Sequence, residues 1–218
     1  RQFNLMFKTN VGPIEDESNI AFLRPETAQG IYVNYLLVQN AMRLKIPFGI
    51  AQIGKAFRNE IVARNFIFRT REFEQMEMQY FVKPGNDDPE LKNWKTERMA
   101  FYEQLGINSS KLRFHEHGNN ELAHYAKEAW DIEYEFPFGW SEIEGIHNRT
   151  DYDLAKHEEF SGKKMEIFDQ ENNERFLPYI IETSAGLNRI LLAVLCHSYW
   201  EDQENDRIVM KLHPKIAP

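Results

Sequence analysis

The stretch that decides the fold runs from Ala56 to Glu77 and reads AFRNEIVARNFIFRTREFEQME. Both of its ends alternate polar and apolar residues with the period of two that is typical of β-strands. Arginines and glutamates stand among phenylalanines, although a protein surface would scatter such charges and a core would exclude them. The stretch therefore predicts an antiparallel hairpin with a long tip, IVARNFIF, and a charged face that binds a charged ligand.

The alternation predicts which side chains share that charged face. It groups two charges of the first arm with an aromatic ring, an amide and a carboxylate of the second, namely Arg58, Glu60, Phe73, Gln75 and Glu77. A guanidinium forks onto phosphate oxygens, a carboxylate accepts from an amine, and a ring stacks on a base. The same residues on a solvated sheet face would form an ion-pair ladder, and the hairpin alone leaves both interpretations open.

A second constellation is ETSAGLNR, residues 182–189, where a strand is expected to turn into the last helix. Arg189 would lie in the first turn of that helix, where the helix dipole disfavours a cation. An arginine at this position indicates an anionic partner, and the alternative is an arginine that simply reaches solvent. Further carboxylates are scattered along the chain, as in RPETAQG and WSEIEGI, but each of them alone is more often a helix cap or a solvated side chain.

Composition excludes several classes of protein. The 218 residues are 42% hydrophobic with a net charge of −8, so a nucleic-acid contact would need a local basic patch. The single cysteine, Cys196, excludes an internal disulfide and a multi-cysteine zinc site. His115 and His117 lack further ligands at metal-binding spacing, so no zinc is expected. No signal peptide and no membrane-length apolar run is visible, which favours a cytoplasmic protein.

The remaining chain predicts an α+β fold with antiparallel strands and helices packed on one side of the sheet. Helices are expected over 25–45, around 94–105 before Gly106, over about 120–130, and after Ser184. FDQENNERF is expected to be a turn between paired strands, and residues 200–207 an exposed connector.

Taken together, FRNE, FRTREFEQME and ETSAGLNR resemble the second and third signature motifs of class II aminoacyl-tRNA synthetases. FLRPETAQGIYVNY, GIAQIGKAFRNE, EIEGIHNRTDYDL and VMKLHPKIAP narrow the resemblance to glycyl-tRNA synthetases of the homodimeric type. The resemblance covers nearly the whole chain and implies an antiparallel sheet of six or seven strands flanked by helices. Residues 1–218 would be a catalytic-core fragment with a helical insertion over 84–130. The first class II motif and the anticodon-binding domain would lie outside the chain.

The resemblance also implies a reaction and its participants. Glycine and ATP would give glycyl-adenylate, and glycine would then pass to the 3′ end of tRNA(Gly) in a homodimeric protein. Arg58 and Arg189 would be catalytic, and Glu142 is the candidate Mg²⁺ ligand. The implied ATP-binding residues are Arg58, Asn59, Glu60, Phe68, Arg69, Thr70, Arg71, Glu72, Phe73, Glu142, Ile143, Gly186 and Arg189. The implied glycine-binding residues are Glu26, Phe73, Gln75, Glu77, Arg149, Glu182 and Ser184.

One residue departs from the family pattern, because Thr183 stands where the family usually has proline. Threonine does not fix φ as proline does, so the placement of Ser184 is expected to loosen. The rival interpretation is a non-catalytic, synthetase-like accessory or regulatory module that binds nucleic acid. Such a module would lose the phosphate arginines and substrate carboxylates that this chain keeps. A class II synthetase for serine, proline or threonine is a further rival, and RPETAQG and FEQME argue against it.

Overall fold

A six-stranded antiparallel sheet is the centre of the computed structural model, which describes residues 4–118 and 120–217. Its strands are β3 Phe48–Phe57, β4 Glu72–Val82, β5 Leu112–Glu116, β6 Glu128–Phe136, β7 Gly139–Thr150 and β10 Tyr179–Gly186, in the order β3-β4-β10-β7-β6-β5. Three two-stranded pairs flank it: β1 Lys8–Asn10 with β2 Ile20–Phe22, β8 Ile167–Asp169 with β9 Glu174–Phe176, and β11 Tyr199–Asp202 with β12 Arg207–Met210. The helices are α1 Ala28–Met42, α2 Asp87–Gln104, α3 Tyr152–Ser161 and α4 Leu187–Ser198. The expected α+β class and antiparallel sheet are confirmed.

The expected hairpin is strands β3 and β4. Their ladder runs from Phe48 opposite Phe81 to Phe57 opposite Glu72, and the tip between them folds back on itself through a bridge between Arg64 and Arg69. Arg58 and Glu60 lie beyond the last pair, so their expected position on the strand face was wrong. The chain leaves the ladder here because the next backbone N–H, that of Asn59, donates to the Leu5 carbonyl, 2.7 Å away.

Helices cover both faces of the sheet, which corrects the expectation of one covered side. Neighbouring strand residues point to opposite faces, and Phe81 and Val82 accordingly belong to different hydrophobic clusters. Phe81 packs with Tyr32 and Tyr35 of α1, whereas Val82 packs in a cluster that includes Leu91 of α2. Because β4 buries apolar side chains on both faces of the sheet, each face needs an apolar layer that covers it.

The segment 84–130 is helical only in its first half. Helix α2 ends before Gly106, whose φ of +90° is in the left-handed region that favours glycine. Residues 112–116 then form the edge strand β5, and the expected helix over 120–130 was wrong because β6 begins at Glu128. The sequence EAWDIEYEF in β6 alternates with period two and buries alternate residues, which a helix would not do. Leu91 and Tyr102 belong to the main core, so this segment is part of one body.

Two further local predictions have different outcomes. The turn expected in FDQENNERF joins the paired strands β8 and β9 and is confirmed. The connector expected over residues 200–207 is instead the hairpin of β11 and β12. Within it Asp202 is buried and accepts hydrogen bonds from Arg207 Nε and Asn205 Nδ2, both at 2.9 Å. This polar stretch forms strands because the carboxylate of Asp202 fixes the turn.

Candidate active site

Polar residues form transverse rows on the face of the sheet that α1 covers. One row places Gln52, Glu77, Ser184, Gly145 and Asp131 opposite one another on five successive strands. The next row along the strands contains Gln79, Glu182 and His147 on β4, β10 and β7. Residues as distant in the chain as Glu77 and Ser184 therefore become neighbours, and the rows form the floor of the candidate site.

The first region of the site is an open cleft at the end of the sheet beside the hairpin tip. Its empty volume is about 560 Å³, including the part open to solvent. The residues that line it are Arg58, Glu60, Ile67, Phe68, Arg69, Thr70, Phe73, Gln75, Glu142, Ser184, Gly186, Asn188 and Arg189. Three arginines thus face one cleft together with aromatic rings, which suits a ligand with phosphates and a flat base.

Arg189 lies where α4 leaves β10, and it is oriented by the hairpin tip. Its Nε donates to the Phe68 carbonyl at 3.1 Å and its guanidinium lies 4.3 Å from the centre of the Phe68 ring. Its Nη1 donates to the Glu142 carbonyl at 2.9 Å and lies 3.1 Å from the Glu142 carboxylate. Backbone carbonyls and a ring fix this guanidinium, so donors remain to bind an anion.

Arg58 and Arg69 approach the same cleft from the hairpin tip. Arg58 Nε donates to the Pro25 carbonyl at 3.0 Å, and its guanidinium lies 5.3 Å from the centre of the Phe73 ring. Arg69 Nη1 lies 3.6 Å from the Glu60 carboxylate, and its buried Nε has no hydrogen-bond partner within the part of the chain that the structure describes. Both side chains therefore keep donors directed at the cleft.

Four of the residues expected to bind ATP do not line this cleft. Ile143 is buried in the core below it, and the Arg71 guanidinium donates to the carbonyls of Glu60 and Ile61 in the hairpin tip. Glu72 pairs with Lys55 on the exposed side of the hairpin, and Asn59 is the point where the chain leaves the sheet. Because Arg71 fixes the tip that carries Glu60, its contribution to the cleft is structural.

The second region is a buried cluster of charges farther along the same face. Glu182 accepts from Arg149 Nη1 at 2.9 Å, from Gln79 Nε2 at 2.6 Å and from the imidazole of His147 at 2.8 Å. Arg149 also donates twice to Asp153, at 2.7 and 3.0 Å. Burial alone would raise the pKa of Glu182, but the Arg149 charge and the His147 hydrogen bond outweigh burial and lower the pKa. Glu182 is therefore ionised at neutral pH.

Glu77 lies in the same cluster with the opposite electrostatic balance. It accepts hydrogen bonds from the backbone N–H of Thr27, at 3.0 Å, and from the Thr27 hydroxyl. Burial and the charge of Glu182 raise the pKa of Glu77 well above its ordinary value, because no arginine pairs with it directly. The pKa values of two neighbouring carboxylates, linked through Gln79 at 2.6 and 3.3 Å, are thus shifted in opposite directions.

The two regions meet at Gln75 and Ser184. Gln75 Nε2 donates to Ser184 Oγ at 2.7 Å, while its Oε1 accepts from the Thr27 N–H at 3.2 Å. Glu26, the third expected glycine-binding carboxylate, is only partly buried, and its Oε1 accepts from Gln29 Nε2 at 3.1 Å. Of the residues predicted to bind glycine, Phe73, Gln75 and Ser184 line the arginine cleft, whereas Glu77, Arg149 and Glu182 are buried.

A family model described as tRNA synthetase class II core domain (G, H, P, S and T) matches residues 7–198. The chain belongs to this class II synthetase family. Glycine--tRNA ligase of Treponema denticola is 62% identical to it, and that of Chlorobaculum tepidum is 57% identical, each over 100% of this chain. The matched part is 50% of the first protein and 47% of the second, so the chain spans about half the length of these curated relatives.

A solved class II synthetase has the same fold. Prolyl-tRNA synthetase of Giardia lamblia, solved in complex with prolyl-adenylate, superposes with a TM-score of 0.69 at 18% identity. The superposition covers 88% of this chain and 37% of that chain. At this identity the comparison carries the fold alone, and it places the six-stranded sheet of this chain in the class II architecture.

Thr183, which was expected to replace a proline of the family pattern, is buried within β10 between β4 and β7. Its neighbour Ser184 keeps the strand register, opposite Glu77 on one side and Gly145 on the other. The hydrogen bond from Gln75 further holds the Ser184 side chain. Two flanking strands and Gln75 therefore hold Ser184 in this structure, and its expected loosening stays a prediction.

Several residues of this class II site were missed by the sequence analysis. Thr27, Gln79, His147 and Asp153 all bind the buried carboxylates or Arg149, and Asn188 lines the cleft and accepts from the Glu74 N–H at 2.9 Å. Gln79 had one available signal, because it shares a strand face with Gln75 and Glu77. The partners of His147 and Asp153 depend on contacts between distant strands, for which the sequence carries no local signal.

Glu142 is the candidate metal ligand, and its side chain is 48% exposed at the rim of the cleft. In the part of the chain that the structure describes, no group of three or more His, Cys, Asp or Glu side chains is arranged to hold a metal ion. An ion at this position would therefore need most of its ligands from elsewhere, such as phosphate oxygens and water. Within the same described part, none of the helices has the length and apolar character needed to span a lipid bilayer.

Proposed function

We propose that the protein is a glycine–tRNA ligase, which joins glycine to ATP as glycyl-adenylate and then transfers glycine to tRNA(Gly). The observation that carries this proposal is the junction of the two regions at Gln75 and Ser184. An arginine cleft suited to a nucleotide adjoins there a buried carboxylate cluster suited to a small ammonium, because Ser184 lines the cleft and lies opposite Glu77. Relatives named glycine--tRNA ligase, 53–62% identical over this chain, support the choice of amino acid.

The arginines of the cleft would act on the phosphates of ATP. Attack of a carboxylate oxygen on the α-phosphorus needs alignment and neutralisation of charge more than it needs a general base. Arg58 and Arg189 both line the cleft, and each is held by a backbone carbonyl contact and an aromatic ring. They would bind the phosphate oxygens on which negative charge develops, and Phe73 would stack on the base.

Glu142 would contribute to a magnesium ion carried by the nucleotide. Its exposed carboxylate and its contact with Arg189 leave it able to turn toward the phosphates. Magnesium prefers octahedral oxygen coordination and usually keeps one or two carboxylates together with substrate phosphates and water. The ion would neutralise phosphate charge, and the residues of this chain would orient the nucleotide around it.

Glycine would bind at the carboxylate cluster with its ammonium toward Glu77 and Glu182. Glu182 is already ionised, and Glu77 would ionise as the ammonium approaches. Arg149 donates three hydrogen bonds to Asp153 and Glu182. A remaining N–H of its guanidinium would donate to the carboxylate of glycine. The wall formed by Ser184 and Gln75 would exclude larger side chains by steric conflict.

The intact protein would act as a homodimer in the cytoplasm and take tRNA(Gly) as its second substrate. Strand β3 is an edge of the sheet, and Ile53 on it is 63% exposed. Val33 and Leu37 on α1 are 69% and 68% exposed. Large apolar side chains on an edge strand and an adjacent helix favour burial against a second copy.

The test is ATP–pyrophosphate exchange by the full-length protein with glycine, alanine or serine. We expect exchange with glycine to exceed that with alanine or serine by at least about 100-fold, because a crowded pocket adds a steric penalty to the loss of fit. Comparable exchange with serine would contradict the choice of glycine. Absence of exchange with every amino acid, in a protein that is folded by circular dichroism, would favour the non-catalytic accessory module instead.

A further inference from the structure

We propose that His147 is a positioning residue of the amino-acid pocket, which holds Glu182 in place from a niche that Gly145 leaves open. This inference rests on the proposed function, because it assigns His147 a part in binding the ammonium of glycine. Gly145 and His147 lie two positions apart on β7, so both lie on the face of the sheet that carries the candidate site.

The contact between His147 and Glu182 is direct and crosses between strands. The two residues are opposite each other in the ladder of β7 and β10, and Nδ1 of the imidazole lies 2.8 Å from Oε1 of Glu182. The other oxygen, Oε2, accepts from Gln79 and Arg149. The imidazole is therefore the only partner found for Oε1 among the described residues, and it decides where that oxygen points. Since a carboxylate oxygen has two acceptor sites, Oε1 retains one for an ammonium group.

Gly145 provides the space in which the imidazole lies. A Cβ built on Gly145 would be 2.8 Å from Cε1 and 3.1 Å from Nε2 of His147, closer than side chains pack. Its φ is not in the left-handed region, so the glycine is required for space and not for backbone conformation. Any larger residue at 145 would displace the ring from Glu182 or force the strand to move.

The charges around His147 favour a proton on Nδ1. Burial lowers the pKa of His147, but the hydrogen bond and charge of Glu182 outweigh burial and raise it above the ordinary value. Arg149, on the same strand, opposes this rise, and Asp131 on β6 adds to it. The ring of His117 lies 6.2 Å away and hydrogen-bonds Asp131 at 2.9 Å, so it completes the groups that face His147. An imidazole that carries this proton donates to Glu182 and leaves Oε1 fixed.

The test compares variants of the full-length protein by steady-state ATP–pyrophosphate exchange. His147→Ala should raise KM for glycine by at least about 10-fold, the equivalent of one lost charge-assisted hydrogen bond, with KM for ATP unchanged within about twofold. His147→Asn keeps an N–H donor near the Nδ1 position and should recover most of the lost affinity. His115→Ala is the matched control, because this imidazole is exposed and has no contact with Glu182. Equal KM for glycine in wild type and His147→Ala would overturn the inference.

A double-mutant cycle separates positioning from a general loss of stability. Gly145→Ala should raise KM for glycine in the wild-type background, because the new Cβ displaces the imidazole. In the His147→Ala background the same change should have less than about a twofold further effect, because the clash no longer exists. Additive effects of the two changes would overturn the inference. A loss of ATP affinity or of thermal stability that accounts for the effects of both substitutions would also overturn the inference.

A readout without substrate keeps this inference distinct from the proposed function. Nitrogen-15 NMR of the ligand-free protein should find the pKa of His147 above 6.5, and Glu182→Gln should lower it. If the wild-type protein shows no glycine-dependent exchange, the proposed function fails. The pKa measurement still tests the contact between His147 and Glu182 in that case. An imidazole with an ordinary pKa, unmoved in Glu182→Gln, would overturn the role of His147 whatever the substrate.

Discussion

The arginine cleft and the carboxylate cluster are two charged regions of one sheet face, and they hold their charges differently. In the cleft, Arg58 and Arg189 contact carbonyls and rings, so each guanidinium keeps unused donors. In the cluster, Arg149 and Glu182 are almost fully buried and neutralise each other directly. The arginines of the cleft thus keep donors for a charged ligand. The charged side chains of the cluster are already paired with one another, so few of their donors and acceptors are free.

The difference indicates how one surface can bind two ligands. A nucleotide brings several negative charges, and open arginines gain from meeting them. Glycine brings one ammonium and one carboxylate and no side chain, so its pocket must be narrow and its charges pre-arranged. Buried charges must be paired to be tolerated, and the Arg149–Glu182–Asp153 cluster meets this requirement before any ligand arrives. Substitutions that leave a buried charge of the cluster unpaired should therefore affect stability first, and substitutions of the cleft arginines should affect activity first.

The largest effect is expected for Arg149→Met. Removing this guanidinium leaves Glu182 and Asp153 buried without their positive partner, which should lower the free energy of unfolding by about 3–5 kcal/mol. Urea unfolding followed by circular dichroism measures it. Arg113→Met is the matched control, because its pair with Glu133 is partly exposed, and it should lose less than about 1 kcal/mol. Equal losses in the two variants would remove the distinction between the cluster and a surface pair.

Arg189→Ala should have the next largest effect, and on activity instead of stability. Loss of a preorganised donor at a developing charge typically costs about 100- to 1000-fold in kcat, and we expect a decrease of this size in ATP–pyrophosphate exchange. The free energy of unfolding should fall by only about 1–2 kcal/mol, because the ion pair of this guanidinium is with a half-exposed carboxylate and its other hydrogen bonds are to the Phe68 and Glu142 carbonyls. Arg175→Ala, on β9 away from the cleft, should keep wild-type activity. A large loss of stability in Arg189→Ala would contradict the separation of roles.

Glu77→Gln tests the two charge states inside the cluster. Because the folded-state pKa of Glu77 is raised, its ionised form opposes folding, and this cost is fully present only above that pKa. At pH 8 the variant should be as stable as wild type or more stable, while KM for glycine rises about 10-fold. The stability difference should shrink as the pH falls through the raised pKa, since wild type then becomes neutral too.

The companion variant Glu182→Gln should behave in the opposite way. The pKa of Glu182 is lowered, so its contribution to stability is present above the ordinary glutamate value of 4.5 and is lost only at more acidic pH. Its loss should therefore destabilise the protein at pH 8. Urea unfolding of both variants at pH 8 and pH 5 measures the contrast. If Glu77→Gln is less stable than wild type at pH 8, the raised pKa belongs to another group of the cluster.

The smallest effect is expected at the junction of the two regions. Ser184→Ala removes the acceptor for Gln75 Nε2 and leaves a buried amide donor without this partner, at a cost of about 1 kcal/mol. We expect about a fivefold rise in KM for glycine with KM for ATP nearly unchanged. Steady-state exchange with each substrate varied in turn measures it. Equal rises in both KM values would mean that Ser184 serves the cleft as much as the cluster.

Local patterns predicted much of the fold, because alternation and helical spacing depend on neighbours in the chain. Helices α1, α2 and α4 and the hairpin of β3 and β4 follow from such spacing. The helix expected over 120–130 failed because β6 is set by pairing with β5 and β7. The polar side of β4 was predicted to be the floor of a site, which stays a prediction, and Glu77 and Gln79 on that side are among the most buried residues. Burial of that side depends on α1, which lies elsewhere in the sequence.

The sequence by itself determined the family resemblance, the antiparallel sheet and the set of charged residues to consider. Only the tertiary structure decided which charged side chains keep unused donors and which are buried and paired. Arg149 and Glu182 are 33 positions apart, and Glu77 and Ser184 are 107 positions apart, yet each pair lies together on adjacent strands. The charge state of a carboxylate depends on burial and on the cations within a few ångströms. Both quantities are fixed only when the strands pair, and for this reason the roles of His147 and Gly145 emerge from the fold.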